Sequence, residues 1–142
     1  MWTGIDPSKW AAKTEDKLDL TVRQIAINMF SKVILRSPVD EGRFVANWAV
    51  GIGKIPSGTI ELNDKTGIAT INKVSADLAD VKAGDVITLA NNLPYAQSLE
   101  DGRGYRDGKM RGSKKAPHGM VALTKQEFES VVAKIGLEVV KL

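Results

Sequence analysis

One stretch near the start of the chain constrains the fold most. Leu18, Val22, Ile25, Met29 and Val33 recur at spacings of 4, 3, 4 and 4, the repeat of one face of an α-helix. Leu20, Ile27, Phe30 and Ile34 widen that face until the helix is apolar on more than one side, so it must meet two surfaces. Thr14 stands where a cap would open the helix, and Glu15 and Asp16 suit the positive end of its dipole. Pro38 disfavours helical geometry at Ser37, which ends the helix near Leu35 or Arg36. A chain of 142 residues has room for one hydrophobic core around such a helix and not for two. Residues 1–142 therefore read as a single domain. Residues 1–13 read as an arm or a short helical turn whose Trp2 and Trp10 pack on the domain or on a neighbouring subunit.

The remaining pattern supplies what that helix packs against. Ser37 to Arg43 is rich in turn formers. Phe44, Ala46, Trp48, Val50 and Ile52 alternate, which predicts a strand over 44–52 with Trp48 buried against the helix. Thr59–Leu62 reads as a short strand. Ile68, Ile71, Val74, Leu78 and Val81 predict a helix over 65–81 with Asp64 as its cap. After the Gly84-Asp85 turn, Val86–Ala90 is a strand. Asn92, Pro94 and Tyr95 then fix the chain's exit, with Tyr95 partly buried and its hydroxyl paired. Gln97–Asp101 makes a helical turn ended by Gly102. Gly119–Leu123 reads as a strand. Thr124 and Glu127 match a capping box, with Leu123 and Phe128 at staple positions. Phe128, Val131, Val132, Ile135 and Val139 face inward from a C-terminal helix that Gly136 shortens. The expected class is α+β: a small, mostly antiparallel sheet flanked by a long N-terminal helix, a middle helix and a C-terminal helix.

Composition narrows the chemistry. With no cysteine and one histidine, His118, the chain has no disulfide scaffold, no thiol nucleophile, no cysteine-ligated zinc and no multi-histidine metal site. His118, between Pro117 and Gly119, reads as a solvated loop residue. Asp40 and Glu41 read as turn residues beside a helix end. Gly102-x-Gly104 lacks the following helix and the lysine of a phosphate loop. No apolar run approaches the length of a membrane span, and the N-terminus does not read as a signal peptide. We expect no catalysis, no cofactor and no metal.

Residues 101–115 stand apart. Six cations, Arg103, Arg106, Lys109, Arg111, Lys114 and Lys115, face two carboxylates, Asp101 and Asp107, a local charge of +4. The whole chain carries only +3, so everything else sums to −1. Four glycines predict a mobile loop. Its cations suit an acidic protein surface or phosphates, and Tyr105 could stack on a base.

Three blocks go beyond a generic pattern: Ser37-Pro38-Val39-Asp40-Glu41-Gly42-Arg43-Phe44-Val45-Ala46-Asn47-Trp48, then Ile87-Thr88-Leu89-Ala90-Asn91-Asn92-Leu93-Pro94-Tyr95-Ala96-Gln97-Ser98-Leu99-Glu100-Asp101-Gly102, then Lys115-Ala116-Pro117-His118-Gly119-Met120-Val121-Ala122-Leu123-Thr124. In order and spacing they resemble the tail-completion proteins of tailed bacteriophages, which include minor-tail-protein-Z-like and head–tail joining (tail terminator or neck) proteins. The residues that carry the resemblance are Pro38, Asp40, Gly42, Trp48, Asn92, Pro94, Tyr95, Glu100, Gly102, Pro117 and Gly119. Glu41 stands where threonine is commoner, and the link from Gly102 to Ser113 is longer than usual.

The resemblance implies a structural virion protein in the tail or neck, assembled in the host cytoplasm. It implies a homo-oligomeric ring, commonly a hexamer, that ends the tail tube and joins the tail to the head connector, with DNA in the lumen as a further contact. It brings no catalytic residue and no membrane partner. The apolar helix 15–35 and the N-terminal arm are its candidate ring contacts. A small nucleic-acid-binding domain working through loop 101–115 is the alternative, and a hydrolase a distant third.

Overall fold

The structure is a computed structural model that describes residues 7–140, with side chains from Lys13 onward. Helix α1 (Pro7–Leu35) is followed by a short helix α2 (Arg43–Ala46), strand β1 (Trp48–Ile52), helix α3 (Ile68–Asp77) and strand β2 (Ile87–Asn91). Helix α4 (Ala96–Glu100), strands β3 (Gly104–Arg106) and β4 (Lys109–Arg111), and helices α5 (Val121–Lys125) and α6 (Phe128–Val140) complete the chain. The class is α+β, as expected. Its two sheets are each an antiparallel pair: β1 with β2, register Trp48↔Asn91 to Ile52↔Ile87, and β3 with β4.

Helix α1 organises the core on two sides. Ala26, Val33 and Ile34, with Val22, Ile27 and Phe30, pack into the main cluster with Phe44, Val45, Trp48, Val74, Leu78, Val81 and Met120. Leu20, Ile25 and Met29 pack instead on Val131, Ile135 and Val139 of α6. The second apolar side is thus covered largely within the same chain, and of the helix's large apolar residues from Lys13 onward only Leu18 and Leu35 are exposed. Trp48 is 5% exposed and its indole N–H donates to Ser37 Oγ at 2.8 Å. Ser37 in turn donates to the Val33 carbonyl, tying the strand to the last turn of α1.

Several expected elements change where one side chain takes over the backbone's hydrogen bonds. α1 begins at Pro7, not after Thr14, because proline suits the first helical position; residues 7–13 are helix, neither a free arm nor a separate turn but the start of α1 itself. Trp2 and the Trp10 side chain lie outside the described residues.

Residues 43–46 are a helical turn, not the start of a strand. Phe44, Val45 and Ala46 are all buried, which alternation cannot achieve. The Asn47 amide seals that corner: it donates to the carbonyls of Arg43 (2.7 Å) and Ile60 (3.1 Å) and accepts the Ile60 N–H (2.8 Å). Ile60 therefore bonds to a side chain, and 59–62 forms no strand.

The middle helix spans 68–77 rather than 65–81. Asp64 does serve its start from outside, accepting the Gly67 and Thr70 N–H groups and the Thr70 hydroxyl. Beyond Asp77 the backbone tightens through Ala79 N–H to Ala76 and Val81 N–H to Leu78, while Leu78 and Val81 stay fully buried.

Residues 121–125 are helix, not strand. Thr124 is buried inside α5, its hydroxyl donating to Met120, so it caps nothing, and Glu127 turns away to Lys32 and Arg36. Phe128 is 50% exposed rather than inward, and α6 runs through Gly136.

Candidate functional site: a junction of three blocks and a basic hairpin

The three sequence blocks meet in space. The Asn91 side chain donates to the Phe44 carbonyl at 2.8 Å, and the Phe44 and Tyr95 rings lie 6.1 Å apart, joining the first block to the second. Lys115 Nζ donates to the Val39 carbonyl, joining the third block to the first. Pro38, Asp40, Gly42, Tyr95, Leu99 and Lys115 line an open cleft of about 490 Å³ between them.

The tightest part of the junction is built on Glu100. Its carboxylate accepts the N–H groups of Met120 and Val121 (both 3.0 Å) and Ala122 (2.9 Å). These are the otherwise unpaired donors at the start of α5, and a carboxylate there also suits the helix dipole. A side chain at Gly119 would meet the Glu100 carbonyl at 2.4 Å, and one at Gly102 would meet the Pro117 carbonyl at 2.2 Å. Both glycines have positive φ, 81° and 85°. The Arg103 N–H donates to that same Pro117 carbonyl at 2.9 Å. Glu100, Gly102, Pro117 and Gly119 are thus one close crossing of two backbones.

The other quoted residues are more loosely held. The Gly42 carbonyl accepts the Asp64 N–H at 2.9 Å. Asn92 donates to the Pro56 carbonyl at 3.0 Å. Tyr95, 43% exposed, is covered on one side where its ring lies across Phe44 at the cleft mouth, but its hydroxyl, expected to be paired, has no partner among the described residues. Asp40, Glu41, Pro94 and His118 are exposed.

The basic segment is a hairpin, not a mobile loop. Asp107 (φ 53°) and Gly108 (φ 73°) make the two-residue turn, whose left-handed centre matches strand twist. Gly104↔Arg111, Tyr105↔Met110 and Arg106↔Lys109 pair across it. The cations divide into two groups. Arg106 donates to the carbonyls of Gly102 (3.0 Å) and Ser98, Arg103 to Gly112 (2.9 Å), and Arg111 to Arg106 while lying 3.9 Å from Asp107. With Lys115 on Val39, four of the six are tied to the fold. Lys109 and Lys114 are exposed and have no partner among the described residues. Tyr105 and Met110 sit side by side on one face, 73% and 46% exposed.

Two carboxylates have altered acidity. Burial works against ionisation of Asp64, yet bonds from the Thr70 hydroxyl and N–H, the Gly67 N–H and Thr66 prevail and hold it below its ordinary 3.8. Hydrogen bonds from Lys32 and Arg36 hold Glu127 below its ordinary 4.5. Both stand at structural joints: Asp64 at the start of α3, Glu127 between α1 and the start of α6. Sequence reading missed Asn47, Asn91 and the role of Glu127. It passed over Asp107-Gly108, the one local signal that announces the hairpin. Among the described residues no three His, Asp or Glu side chains gather to hold a metal, and no helix is long and apolar enough to cross a membrane.

No family model, curated protein or solved structure matched this chain.

Proposed function

We propose that the chain is a ring-forming structural subunit of a phage tail end, terminating the tail tube and joining it to the head connector. The observation that carries this reading is the junction. The blocks on which the resemblance rests lie far apart in sequence, yet each is bonded to the other two. A motif whose residues lock backbone crossings marks a fold rather than a reaction, which is what an architectural subunit needs. The hairpin adds an exposed, charged contact beside that rigid base. A cyclic ring joins subunits head to tail through two different patches, so each copy must present two unlike surfaces.

Electron microscopy of particles made without this protein tests the reading. Tails of uncontrolled length indicate a terminator, and normal tails beside filled heads indicate a joining role. Particles indistinguishable from wild type, or a reconstruction with one isolated copy or a two-fold dimer, overturn it. A second reading, a nucleic-acid-binding domain, draws on the exposed Tyr105 and on Lys109 and Lys114, exposed in the same basic segment. It requires isolated chains to bind duplex or single-stranded DNA with an affinity that falls steeply as salt rises.

A further inference from the structure

The β1–β2 sheet ends in an unguarded edge. The Gly53 N–H donates to the Val86 carbonyl at 2.8 Å and continues the register of the pair, which makes Gly51–Thr88 and Ala49–Ala90 the hydrogen-bonded pairs. Ile87, Leu89 and Asn91 therefore turn their backbone N–H and C=O groups away from β1, and these groups have no partner among the described residues. Native edges are normally guarded by lysine, proline or a bulge. β2, Ile87-Thr88-Leu89-Ala90-Asn91, has none of these. An apolar trough opens beside it. About 190 Å³ lies between Leu89, Val121 of α5 and Met29, Phe30 and Val33 of α1. A further space of about 280 Å³ runs on from Leu89 and Val121 past Asn91 and Leu93.

Residues 55–64 supply a strand without a sheet. They run with no turn or bend and are anchored on one side only. Asn92 holds the Pro56 carbonyl, Asn47 holds both backbone groups of Ile60, and the Gly42 carbonyl holds the Asp64 N–H. Successive residues of an extended chain turn their backbone groups to opposite sides. Thr59, Glu61 and Asn63 thus present theirs outward, with no backbone partner among the described residues. Ile60 and Leu62 share one face, and both are exposed, Leu62 by 62%. The outward groups point away from the domain that holds the segment, so the strand that completes them belongs to another molecule.

The two edges fit in one orientation. In a parallel ladder Thr59 would stand opposite Thr88 and Glu61 opposite Ala90, on the face away from the core that Trp48, Val50 and Leu89 join. Ile60 and Leu62 then fall on the Leu89 face, over the trough. Antiparallel pairing would instead drive the Glu61 carboxylate into that apolar space. Other strands of the chain are poorer occupants. The two-residue turn leaves the hairpin one outward-bonding residue on each edge, Tyr105 or Met110. β1 has α3 packed against it, on the core side where α5 stands beside β2. We propose that segment 59–63 of one copy adds to the β2 edge of the next as a parallel third strand, with Ile60 and Leu62 in the trough. This rests on the ring reading above and names its subunit contact: donor strand and acceptor edge are unlike patches on one chain, which propagates head to tail.

Sedimentation velocity on the full chain tests it. Glu61→Pro removes an outward N–H and blocks the edge while the inward bonds of Ile60 and Asp64 stay. Leu62→Asp sets a charge where the trough is apolar. Each variant should self-associate more weakly than wild type by about tenfold or more, with a nearly unchanged melting temperature, since both positions are exposed. Wild-type association should persist in high salt, because no ion pair carries it. The chain has no cysteine, so single introduced thiols locate the contact. A short bismaleimide should join a mixture of Glu61→Cys and Ala90→Cys proteins far faster than it joins either variant to itself. Association that ignores both substitutions, or equal cross-linking in the mixture and in its components, overturns this contact and leaves the ring reading to the particle reconstruction. A wild-type chain that stays monomeric up to its solubility limit, or whose association is lost in moderate salt, overturns it as well.

Discussion

The junction around Glu100 and the hairpin that springs from it are neighbours in sequence and opposites in physical design. At the junction the key polar groups are used internally: three N–H groups share one carboxylate, and two glycines let backbones approach to distances no side chain permits. In the hairpin two lysines and an aromatic–sulfur pair are held out in solvent by a ladder that touches little else. Removing a half-buried acceptor that serves three donors is costly to the extent that those donors stay desolvated, as at the buried Met120, whereas removing an exposed charge costs little. The first region should therefore govern stability and the second association.

The comparison can be sharpened from its largest expected effect downward. Trp48→Ala should destabilise by about 3–5 kcal/mol, read from urea unfolding; a value near zero would mean that the strand is not anchored to α1 as described. Glu100→Ala should cost about 1–3 kcal/mol, since three donors lose their acceptor. Glu100→Gln, which keeps an acceptor oxygen, should lose less. If the two variants were equally stable to wild type, the junction would not be the stabilising region.

Acid should act on the joints next. Asp64 and Glu127 have folded pKa values below 3.8 and 4.5, so their contributions are fully present above those values and disappear as pH falls through the lower folded ones. Thermal melts across that range should show falling stability on acidification, and Asp64→Asn should flatten the profile. An Asp64→Asn protein with the wild-type slope would exclude Asp64 as a source of it. The smallest effect belongs to the hairpin. Lys109→Ser with Lys114→Ser should change stability by less than about 0.5 kcal/mol while reducing the yield of joined particles. A large drop in melting temperature would erase the division between the two regions.

What could be read from the sequence follows the same division of causes. Helix α1, the strand ending at Asn91, the middle and C-terminal helices and the buried Trp48 all rest on apolar periodicity, which a linear pattern carries. The misread segments are those decided by one polar side chain reaching across the chain. Asn47 occupies Ile60 thirteen residues on, and Glu100 turns residues 120–122 into a helix start. Neither reach leaves a period. The second apolar side of α1 was legible, but not its occupant: Val131, Ile135 and Val139 stand a hundred residues later. At the candidate site the quoted blocks were visible as strings and their meeting was not. The hairpin was hidden because its strands are basic rather than alternately apolar, although Asp107-Gly108 marked its turn.

The close crossing of Gly102 and Pro117 has a consequence for how such a chain can change over time. It clamps both ends of the intervening segment to each other, so whatever lies between is a closed loop hung from a fixed point. Lengthening a flexible closed loop twofold costs only about 0.6 kcal/mol in closure entropy. The hairpin tip between the clamps, residues 105–110, is therefore free to be lengthened or rewritten with little effect on the core, while Gly112, Lys115 and Ala116 stay fixed by their own contacts, and partner choice can diverge while the architecture that presents it stays the same.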